Sequence, residues 1–416
     1  MKGLCHRVFG AAALLLALAL AGGAAGCVQR TEEGDDAGAV SASQPPQSAA
    51  QPTPTPQQQE DPAAALLAGM TLREKVGQLF LIRPESLCAE LTPQQVHSAS
   101  GWGVTCWTQA MGDRLADYPA GGIVLFGKNL ENPDQLAALL EGAQGASGIP
   151  LLVGIDEEGG EVARLANCPG FDLPQFEDMA SIGRSGDPEA ARQVGQTIGR
   201  YLAQYGFGLD FAPVADLWTN PQNTVIGARS FGSDPALVSR MVAAEIEGLQ
   251  GQGILCCIKH FPGHGDTAGD SHEGYVVLDR SWEELEQREL IPFVENLGRI
   301  DLVMVAHILL PQVTDDGLPA SLSSELIGGR LRGELGYDGL VVTDSLAMGA
   351  ITESYTSAQS AVLAFSAGAD LLLMPQDYPA AFEAVAEAVE SGEISEQRLD
   401  ESVLRILRAK DRCGLL

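Results

Sequence analysis

The chain has 416 residues, of which 45% are hydrophobic and 19% are charged. Acidic residues outnumber basic ones by 55 to 25, so the formal net charge is −30 at pH 7. This charge argues against nucleic acid and anionic lipid surfaces as partners, because both attract basic proteins. Length and composition favour one large α/β domain with a tail.

The first 26 residues have the features of a secretory signal. Lys2 and Arg7 precede an apolar run from Val8 to Ala21, which is shorter than the roughly 20 residues that span a bilayer. Small residues then lead to Cys27, as in a bacterial lipoprotein signal. We therefore expect Cys27 to be lipidated and to anchor the mature chain at the extracellular face of the cell membrane. Secretion without a lipid is the alternative.

Residues 27–61 are predicted to be a disordered linker, because they are rich in Pro, Gln and Ser and poor in bulky apolar side chains. Six cysteines follow the linker, and their spacing matches no zinc motif. Cys256 and Cys257 lie in an apolar run and are expected to be buried thiols. Whether Cys88 and Cys106 form a disulfide outside the cell stays open at this level.

From residue 62 onward, eight short apolar runs alternate with helical patterns. Such runs are typical of parallel strands that helices cover on both faces. Eight β–α repeats favour a closed barrel over an open sheet, so residues 62–416 are predicted to form a single α/β domain, a TIM-type (β/α)8 barrel. The predicted strands are Gln78–Ile82, Gly122–Phe126, Leu151–Ile155, Leu209–Pro213, Ile254–Ile258, Leu302–Ala306, Leu340–Thr343 and Leu371–Met374.

Helical patterns fill most of the gaps between these strands. A closing helix is predicted in Ser395–Leu416, with Ser395 as its N-cap. The other predicted helices are Pro133–Gln144, Pro188–Gln204, Pro235–Gln250, Trp282–Leu297 and Ser323–Leu335.

Residues 86–119 interrupt this alternation directly after the first strand. In a barrel, that place belongs to the face that carries the active site. We interpret the segment as an insertion in which Trp102 and Trp107 offer an aromatic platform for a sugar. A structural role without a ligand is the alternative.

Polar side chains lie at or beyond the ends of the third to seventh predicted strands, where barrel enzymes bind substrate. These loops hold four of the six histidines of the chain. In chain order the polar residues and segments are Asp156–Gly160, Arg164, Asp210, Asp216, Asn223–Phe231, Lys259–Thr267, Asp270–His272, His307 and Asp344.

One interpretation of this set is a glycosidase. Splitting an acetal needs a carboxylate at the cationic centre and an acid that protonates the leaving oxygen. Asp344 at a strand end suits the first role. His272 suits the second, because Asp270 two residues earlier can orient the imidazole and raise its pKa.

Two other interpretations remain open at this point. A metal-dependent hydrolase is one of them, because five residues of metal-ligand type fall within thirteen positions: His260, His264, Asp266, Asp270 and His272. A sugar-binding lipoprotein without catalytic activity is the other, since a fold does not guarantee an activity.

Four segments together resemble glycoside hydrolase family 3, in its bacterial β-N-acetylhexosaminidase branch. They are Asp156–Gly160 with Arg164, Asn223–Phe231, Lys259–Thr267 with Asp270–His272, and Val342–Met348. The segments occur in the order of the family, and the resemblance extends from Met70 to Leu416. Glu157 departs from the pattern, because relatives often carry Gln or His there, and the insertion is not part of the family core.

The resemblance implies a role for each residue of the set. Asp344 is the expected nucleophile of a retaining mechanism, and His272, oriented by Asp270, is the expected acid and then base. Asp216 and His264 are expected to support the site, and neither metal nor cofactor is implied. The expected substrate-binding residues are Asp156, Arg164, Arg229, Lys259, His260 and His307.

We therefore predict an exo-acting, retaining β-N-acetylhexosaminidase that hydrolyses terminal non-reducing N-acetylglucosamine, with peptidoglycan fragments as the expected substrate. A β-glucosidase, or a phosphorylase that uses phosphate as acceptor, is the alternative on the same fold. The preferred leaving group and the oligomeric state stay open.

Overall fold

A computed structural model describes residues 61–98, 102–269, 274 and 276–416 of the chain. The predicted signal, Cys27 and the predicted linker up to residue 60 lie outside these ranges, and so do Asp270 and His272. Asp61 already belongs to the folded domain, because its side chain accepts hydrogen bonds from the first helix and pairs with Arg408 at 2.7 Å. Within the described ranges, no helix has both the length and the apolarity needed to cross a membrane.

Eight parallel strands form one sheet in the order β7–β6–β5–β4–β3–β2–β1–β8. Their bounds are β1 Phe80–Ile82, β2 Gly122–Leu125, β3 Leu152–Ile155, β4 Leu209–Asp210, β5 Leu255–Phe261, β6 Leu302–Val305, β7 Leu340–Thr343 and β8 Leu372–Leu373. The sheet closes because Leu371, just before β8, donates to Val341 of β7 and accepts from Thr343. The predicted (β/α)8 barrel is therefore confirmed.

The fifth strand runs further than predicted. Ile258 was the expected end because Lys259 and His260 are polar, yet the strand continues through both to Phe261. Both side chains are buried in the mouth of the barrel and have polar partners there. Polarity alone was therefore a wrong signal for the end of this strand.

Helices lie between the strands and around them. The α-helices of the described residues are α1 Pro62–Gly69, α2 Leu72–Gln78, α3 Pro93–His97, α4 Gln109–Asp117, α5 Pro133–Ala146, α6 Met179–Ser185, α7 Pro188–Gln204, α8 Pro235–Gln250, α9 Trp282–Glu286, α10 Ile291–Val294, α11 Gly349–Thr352, α12 Ser357–Ala367, α13 Tyr378–Glu390 and α14 Glu396–Arg412. Short 3-10 turns occupy Pro84–Leu87, Gly127–Asn129, Gly227–Arg229 and Ala320–Leu322, and a π-helix occupies Glu325–Glu334.

The long helices begin where the sequence indicates. At α5, α7 and α8 an Asn or Asp side chain accepts a hydrogen bond from the first turn, and a proline follows it. Such pairs suit a helix start, because proline has no N–H to leave unpaired. The closing helix α14 begins after Ser395, as predicted. The predicted helix Trp282–Leu297 is instead broken into α9 and α10, with Pro292 in the first turn of α10.

Candidate active site

A cavity of about 1200 Å³ opens at the carboxyl ends of the strands. Its walls contain seven of the residues that the sequence indicated: Asp156, Arg164, Arg229, Lys259, His260, His264 and Asp344. Residues far apart in the chain meet here because each follows or ends a neighbouring strand of the barrel. Asp270 and His272 lie outside the described residues, so their placement stays a prediction.

Glu158 is the centre of the charge network in this cavity. Its carboxylate accepts two hydrogen bonds from Arg229, at 2.8 and 2.7 Å, and lies 2.5 Å from Lys259 Nζ. Lys259 Nζ also donates to Asp156 Oδ1 at 2.8 Å. Burial opposes ionisation of Glu158, but Arg229 and Lys259 outweigh it and hold the pKa of this carboxyl well below its ordinary value.

Sequence reasoning assigned no role to Glu158, although its segment was recognised. Its spacing in the sequence could have indicated a role. Glu158 is two residues after Asp156, and residues two apart in an extended segment point to the same side. Both carboxylates do meet Lys259. They raise the pKa of Lys259 above its ordinary value despite its burial, so the cavity holds an ammonium group ready to donate to substrate oxygen atoms.

Arg164 reaches the cavity from a short hairpin made by Glu157–Gly159 and Val162–Ala163. Its Nη2 lies 3.9 Å from Asp156 Oδ2, and its guanidinium lies 5.7 Å from the Phe126 ring. Glu157 holds the hairpin, because its carboxylate accepts from Leu165 N, Ala166 N and the Tyr201 hydroxyl, each at 2.8 Å. Burial raises the pKa of Glu157.

Asp216 orients the ring of His260 and holds the backbone of His264. Its Oδ2 lies 2.7 Å from His260 Nδ1, and its Oδ1 accepts from His264 N at 2.7 Å. A carboxylate can only accept, so Nδ1 of His260 carries a proton. Asp216 is fully buried, which opposes its charge, but His260 outweighs the burial and lowers the pKa of Asp216. Asp216 therefore lies behind His260 and holds its ring, while its supporting role in the site stays a prediction.

In the described part of the chain, no group of three or more His, Cys, Asp or Glu side chains is placed to hold a metal ion. Two of the five candidate ligands of the metal interpretation, Asp270 and His272, lie outside that part. His264 Nδ1 lies 2.9 Å from Thr267 Oγ1, and His260 bonds Asp216.

His307 does not line the cavity, which corrects the expectation that it binds substrate. It is fully buried, and its Nδ1 lies 2.6 Å from Ser321 Oγ. Its Nε2 lies 2.9 Å from the carbonyl oxygen of Ser345, the residue after Asp344. The strand-end position was correct, but the side chain turns toward the neighbouring loop.

The insertion contributes to the cavity, but not through its tryptophans. Trp107 packs against α5, where an added Cβ on Gly142 would lie 2.6 Å from it. Trp102 is 62% exposed and is not among the residues that line the cavity, so a sugar platform at this side chain stays a prediction. His97 and Ser98 line the cavity instead.

Cationic side chains hold this part of the insertion in place. Lys128 Nζ donates to the carbonyl oxygens of Val96 and Ser98 at 3.2 and 3.1 Å. Arg83 Nη1 donates to the Val96 carbonyl at 3.3 Å. The insertion therefore forms one wall of the cavity. Cys88 and Cys106 are free thiols in it, one buried and the other exposed.

Comparison with known proteins agrees with this geometry. Residues 71–409 match the family described as "Glycosyl hydrolase family 3 N terminal domain". Beta-hexosaminidase LpqI of Mycobacterium tuberculosis is 34% identical over 346 residues, which cover 81% of this chain and 85% of LpqI. Beta-hexosaminidase A of Pseudoalteromonas piscicida is 30% identical over 380 residues, which cover 84% of this chain.

A solved structure is similar as well. The glycoside hydrolase family 3 β-N-acetylglucosaminidase from Paenibacillus sp. str. FPU-7 is 40% identical with a TM-score of 0.75, and the match covers 83% of this chain. The matched region spans 63% of that protein and 62% of beta-hexosaminidase A. Both are thus considerably longer than the part they share with this chain.

Proposed function

The chain belongs to glycoside hydrolase family 3, and on that premise we propose that it is an exo-acting, retaining β-N-acetylhexosaminidase that releases terminal N-acetylglucosamine. The observation that carries the proposal is the shared cavity, in which Asp344 lies with five of the six expected sugar-binding residues: Asp156, Arg164, Arg229, Lys259 and His260. The names of the relatives, beta-hexosaminidase and β-N-acetylglucosaminidase, support the same substrate.

Asp344 acts as the nucleophile in this proposal. One oxygen of its carboxylate attacks the anomeric carbon and forms an ester bond to it, while the bond from that carbon to the leaving oxygen breaks. The leaving oxygen takes a proton from His272. Water then attacks the anomeric carbon and loses one of its own protons to His272, while the ester bond to Asp344 breaks and its carboxylate is restored. The product therefore retains the β configuration.

The remaining cavity residues hold the sugar. Lys259 and Arg229 are cationic and donate hydrogen bonds to hydroxyl and acetamido oxygens, while the carboxylate of Asp156 accepts from hydroxyl groups. Their mutual ion pairs keep the net charge of the cavity low. A neutral sugar fits such a site without further counter-ions.

The test is hydrolysis of 4-nitrophenyl N-acetyl-β-glucosaminide beside the matching β-glucoside, each with and without phosphate and EDTA. Release from the glucosaminide alone, independent of both additives, supports the proposal. Activity only on the glucoside points to a β-glucosidase, dependence on phosphate points to a phosphorylase, and loss with EDTA points to a metal.

The mechanism has its own test. Proton NMR of the first product formed must show the β anomer. Asp344→Asn is expected to lower kcat by on the order of 10⁴-fold or more, because no covalent intermediate can form. Retained turnover in Asp344→Asn contradicts the assignment of the nucleophile.

The location and the natural substrate are further parts of the proposal, and they rest on the sequence. The signal and Cys27 support a lipid anchor on the extracellular face of the membrane as the only contact with it, and this location suits peptidoglycan fragments as substrate. Cys27→Ser should move the protein from the membrane fraction to the medium. Mass spectrometry of digested muropeptides should show loss of terminal N-acetylglucosamine.

A further inference from the structure

We propose that His307 is a positioning residue for the nucleophile, which holds the turn after β7 so that the Asp344 carboxylate keeps one orientation. The inference rests on the proposed function, in which Asp344 attacks the sugar. It assigns to a fully buried histidine a part in the reaction without contact to the substrate.

The imidazole is fixed from the β6 side. His307 follows β6 by two residues, and the backbone N–H of Ser321 donates to the carbonyl of Ala306 at 3.1 Å. The same serine places its hydroxyl 2.6 Å from His307 Nδ1. His307 and Ser321 are both fully buried. The ring therefore has little freedom to rotate.

The other ring nitrogen holds the turn after β7. Because a carbonyl oxygen can only accept, Nε2 of His307 carries the proton and donates it to the Ser345 oxygen at 2.9 Å. The same oxygen accepts from Met348 N at 3.0 Å. Two donors thus fix the peptide group that follows Ser345.

The turn in turn fixes the carboxylate. The backbone N–H of Ser345 donates to Asp344 Oδ1 at 2.7 Å. The backbone N–H of Asp344 donates to Val305 of β6 at 3.0 Å, so its main chain belongs to the barrel. The turn therefore holds one oxygen of the carboxylate, and His307 links that turn to the end of the neighbouring strand.

This connection matters for catalysis because attack needs an aligned carboxylate oxygen at the anomeric carbon. A displacement of about 1 Å can cost about 100-fold in rate. Without the donor at Nε2, the Ser345 carbonyl keeps the bond from Met348 N, and the same peptide group keeps the bond from Leu346 N to the Leu373 carbonyl at 2.9 Å. The link to the end of β6 is lost, so we expect the turn to shift. The sugar-binding residues keep their own ion pairs, so we expect the rate constant to fall while KM changes little.

The test compares His307→Met with His307→Gln on 4-nitrophenyl and 2,4-dinitrophenyl N-acetyl-β-glucosaminides. Methionine fills the space without a donor, whereas the glutamine amide can place an N–H close to the position of Nε2. His307→Met should lower kcat by about 100-fold on both substrates with little change in KM. His307→Gln should recover at least about tenfold of that loss.

The two leaving groups separate this role from damage to the acid. Loss of a proton donor spares hydrolysis of the dinitrophenyl substrate, because dinitrophenolate leaves without protonation. A displaced nucleophile slows hydrolysis of both substrates equally. Ser402→Ala is the matched control. It removes a buried hydroxyl bonded to Asp370 Oδ1 at 2.5 Å, on α14 and away from the cavity, and should keep wild-type kcat.

Several results would overturn the inference. A folded His307→Met with wild-type kcat, or a His307→Gln no faster than His307→Met, contradicts the donor role. If His307→Met does not fold, Ser321→Ala must still lower kcat several-fold, since it frees one side of the ring. Wild-type protein inactive on both glucosaminides and glucosides overturns the proposed function instead. If wild type is active on glucosides alone, the same variants are compared on the nitrophenyl and dinitrophenyl β-glucosides.

Discussion

Glu158 balances two buried cations, so a change of this residue alone should affect both stability and substrate binding. We predict that Glu158→Gln lowers the free energy of unfolding by about 3 kcal/mol, the usual cost of breaking a buried ion pair. It should also raise KM by about tenfold or more, because Lys259 and Arg229 lose the carboxylate that orients them. Guanidinium denaturation and steady-state kinetics measure the two effects.

The matched control is Glu189→Gln, which breaks an exposed pair with Arg192. Exposed pairs contribute little because water screens them. It should therefore leave both KM and the unfolding transition near wild type. A Glu158→Gln protein as stable as this control would contradict the network described above.

For single residues, the position at a strand end was predictable from the sequence, but the direction of the side chain was not. Strand ends predicted that Asp156, Lys259 and Asp344 share one cavity, because parallel strands of a barrel present their carboxyl ends on one face. The direction of a side chain beyond a strand end depends on its loop. That is why His307 was wrongly expected in the cavity and Glu158 received no role.

At the scale of elements, the hairpin that carries Arg164 depends on Glu157. Its two carboxylate oxygens accept three hydrogen bonds, whereas a glutamine has one acceptor oxygen and an NH₂ group that would face another donor. We predict that Glu157→Gln costs about 1–3 kcal/mol of stability and raises KM several-fold. Tyr201→Phe removes a single donor and should cost less. Equal stability of Glu157→Gln and wild type would contradict this role.

The loop after β5 suggests a second prediction at this scale. Asp266 accepts from Thr219 at 2.9 Å and pairs with Arg280 and Arg288 at 3.0 and 3.1 Å. The proposed acid His272 lies between Asp266 and Arg280 in the chain. Asp266 therefore connects the two ends of the segment that contains His272. Asp266→Asn should lower kcat about tenfold on the nitrophenyl glucosaminide and less on the dinitrophenyl one, because the acid is less well placed.

The control for the loop is Glu284→Gln, which removes only an exposed partner of Arg280 at 3.9 Å. It should leave both rates unchanged. If Asp266→Asn lowers kcat equally on the two substrates, the contacts of Asp266 affect the nucleophile or folding, and not the acid.

Elements were predictable where local chemistry decides them. An Asp or Asn followed by Pro marked the starts of α5, α7 and α8, since cap and proline act within one turn. The insertion was recognised, but its contacts are long-range. Glu85 accepts from Val104 N at 3.0 Å and from Asn129 Nδ2 at 2.7 Å, and no local pattern predicts such a bond.

For the whole molecule, closure of the barrel was predictable from eight repeats, but the way its amino end is filled was not. Lys410 of α14 is fully buried there and donates to Gln78 Oε1 and to the Pro150 carbonyl, both at 2.6 Å. A lysine near the end of a helix ordinarily faces water. Its two partners are brought together only by the closed barrel.

Lys410 should make the stability of the domain depend on pH. Burial lowers its pKa to about 7, and its hydrogen-bond partners are neutral carbonyl groups. The unfolded chain binds the proton up to a pH of about 10.5, so between pH 7 and that value it holds more protons than the folded chain. Stability contributed by this group must then rise with pH through this window and stay constant below it.

The measurement is the free energy of unfolding of wild type and Lys410→Met at pH 7 and pH 9. The free energy of unfolding of wild type minus that of Lys410→Met should rise by about 2 kcal/mol over this interval. Only wild type has a buried ammonium group that becomes neutral as the pH rises. Lys75→Met removes a lysine that pairs with Asp400 at 2.6 Å, and it should keep the wild-type slope. Parallel pH profiles of wild type and Lys410→Met would mean that water reaches the ammonium group, and that the amino end of the barrel is less tightly closed than its contacts indicate.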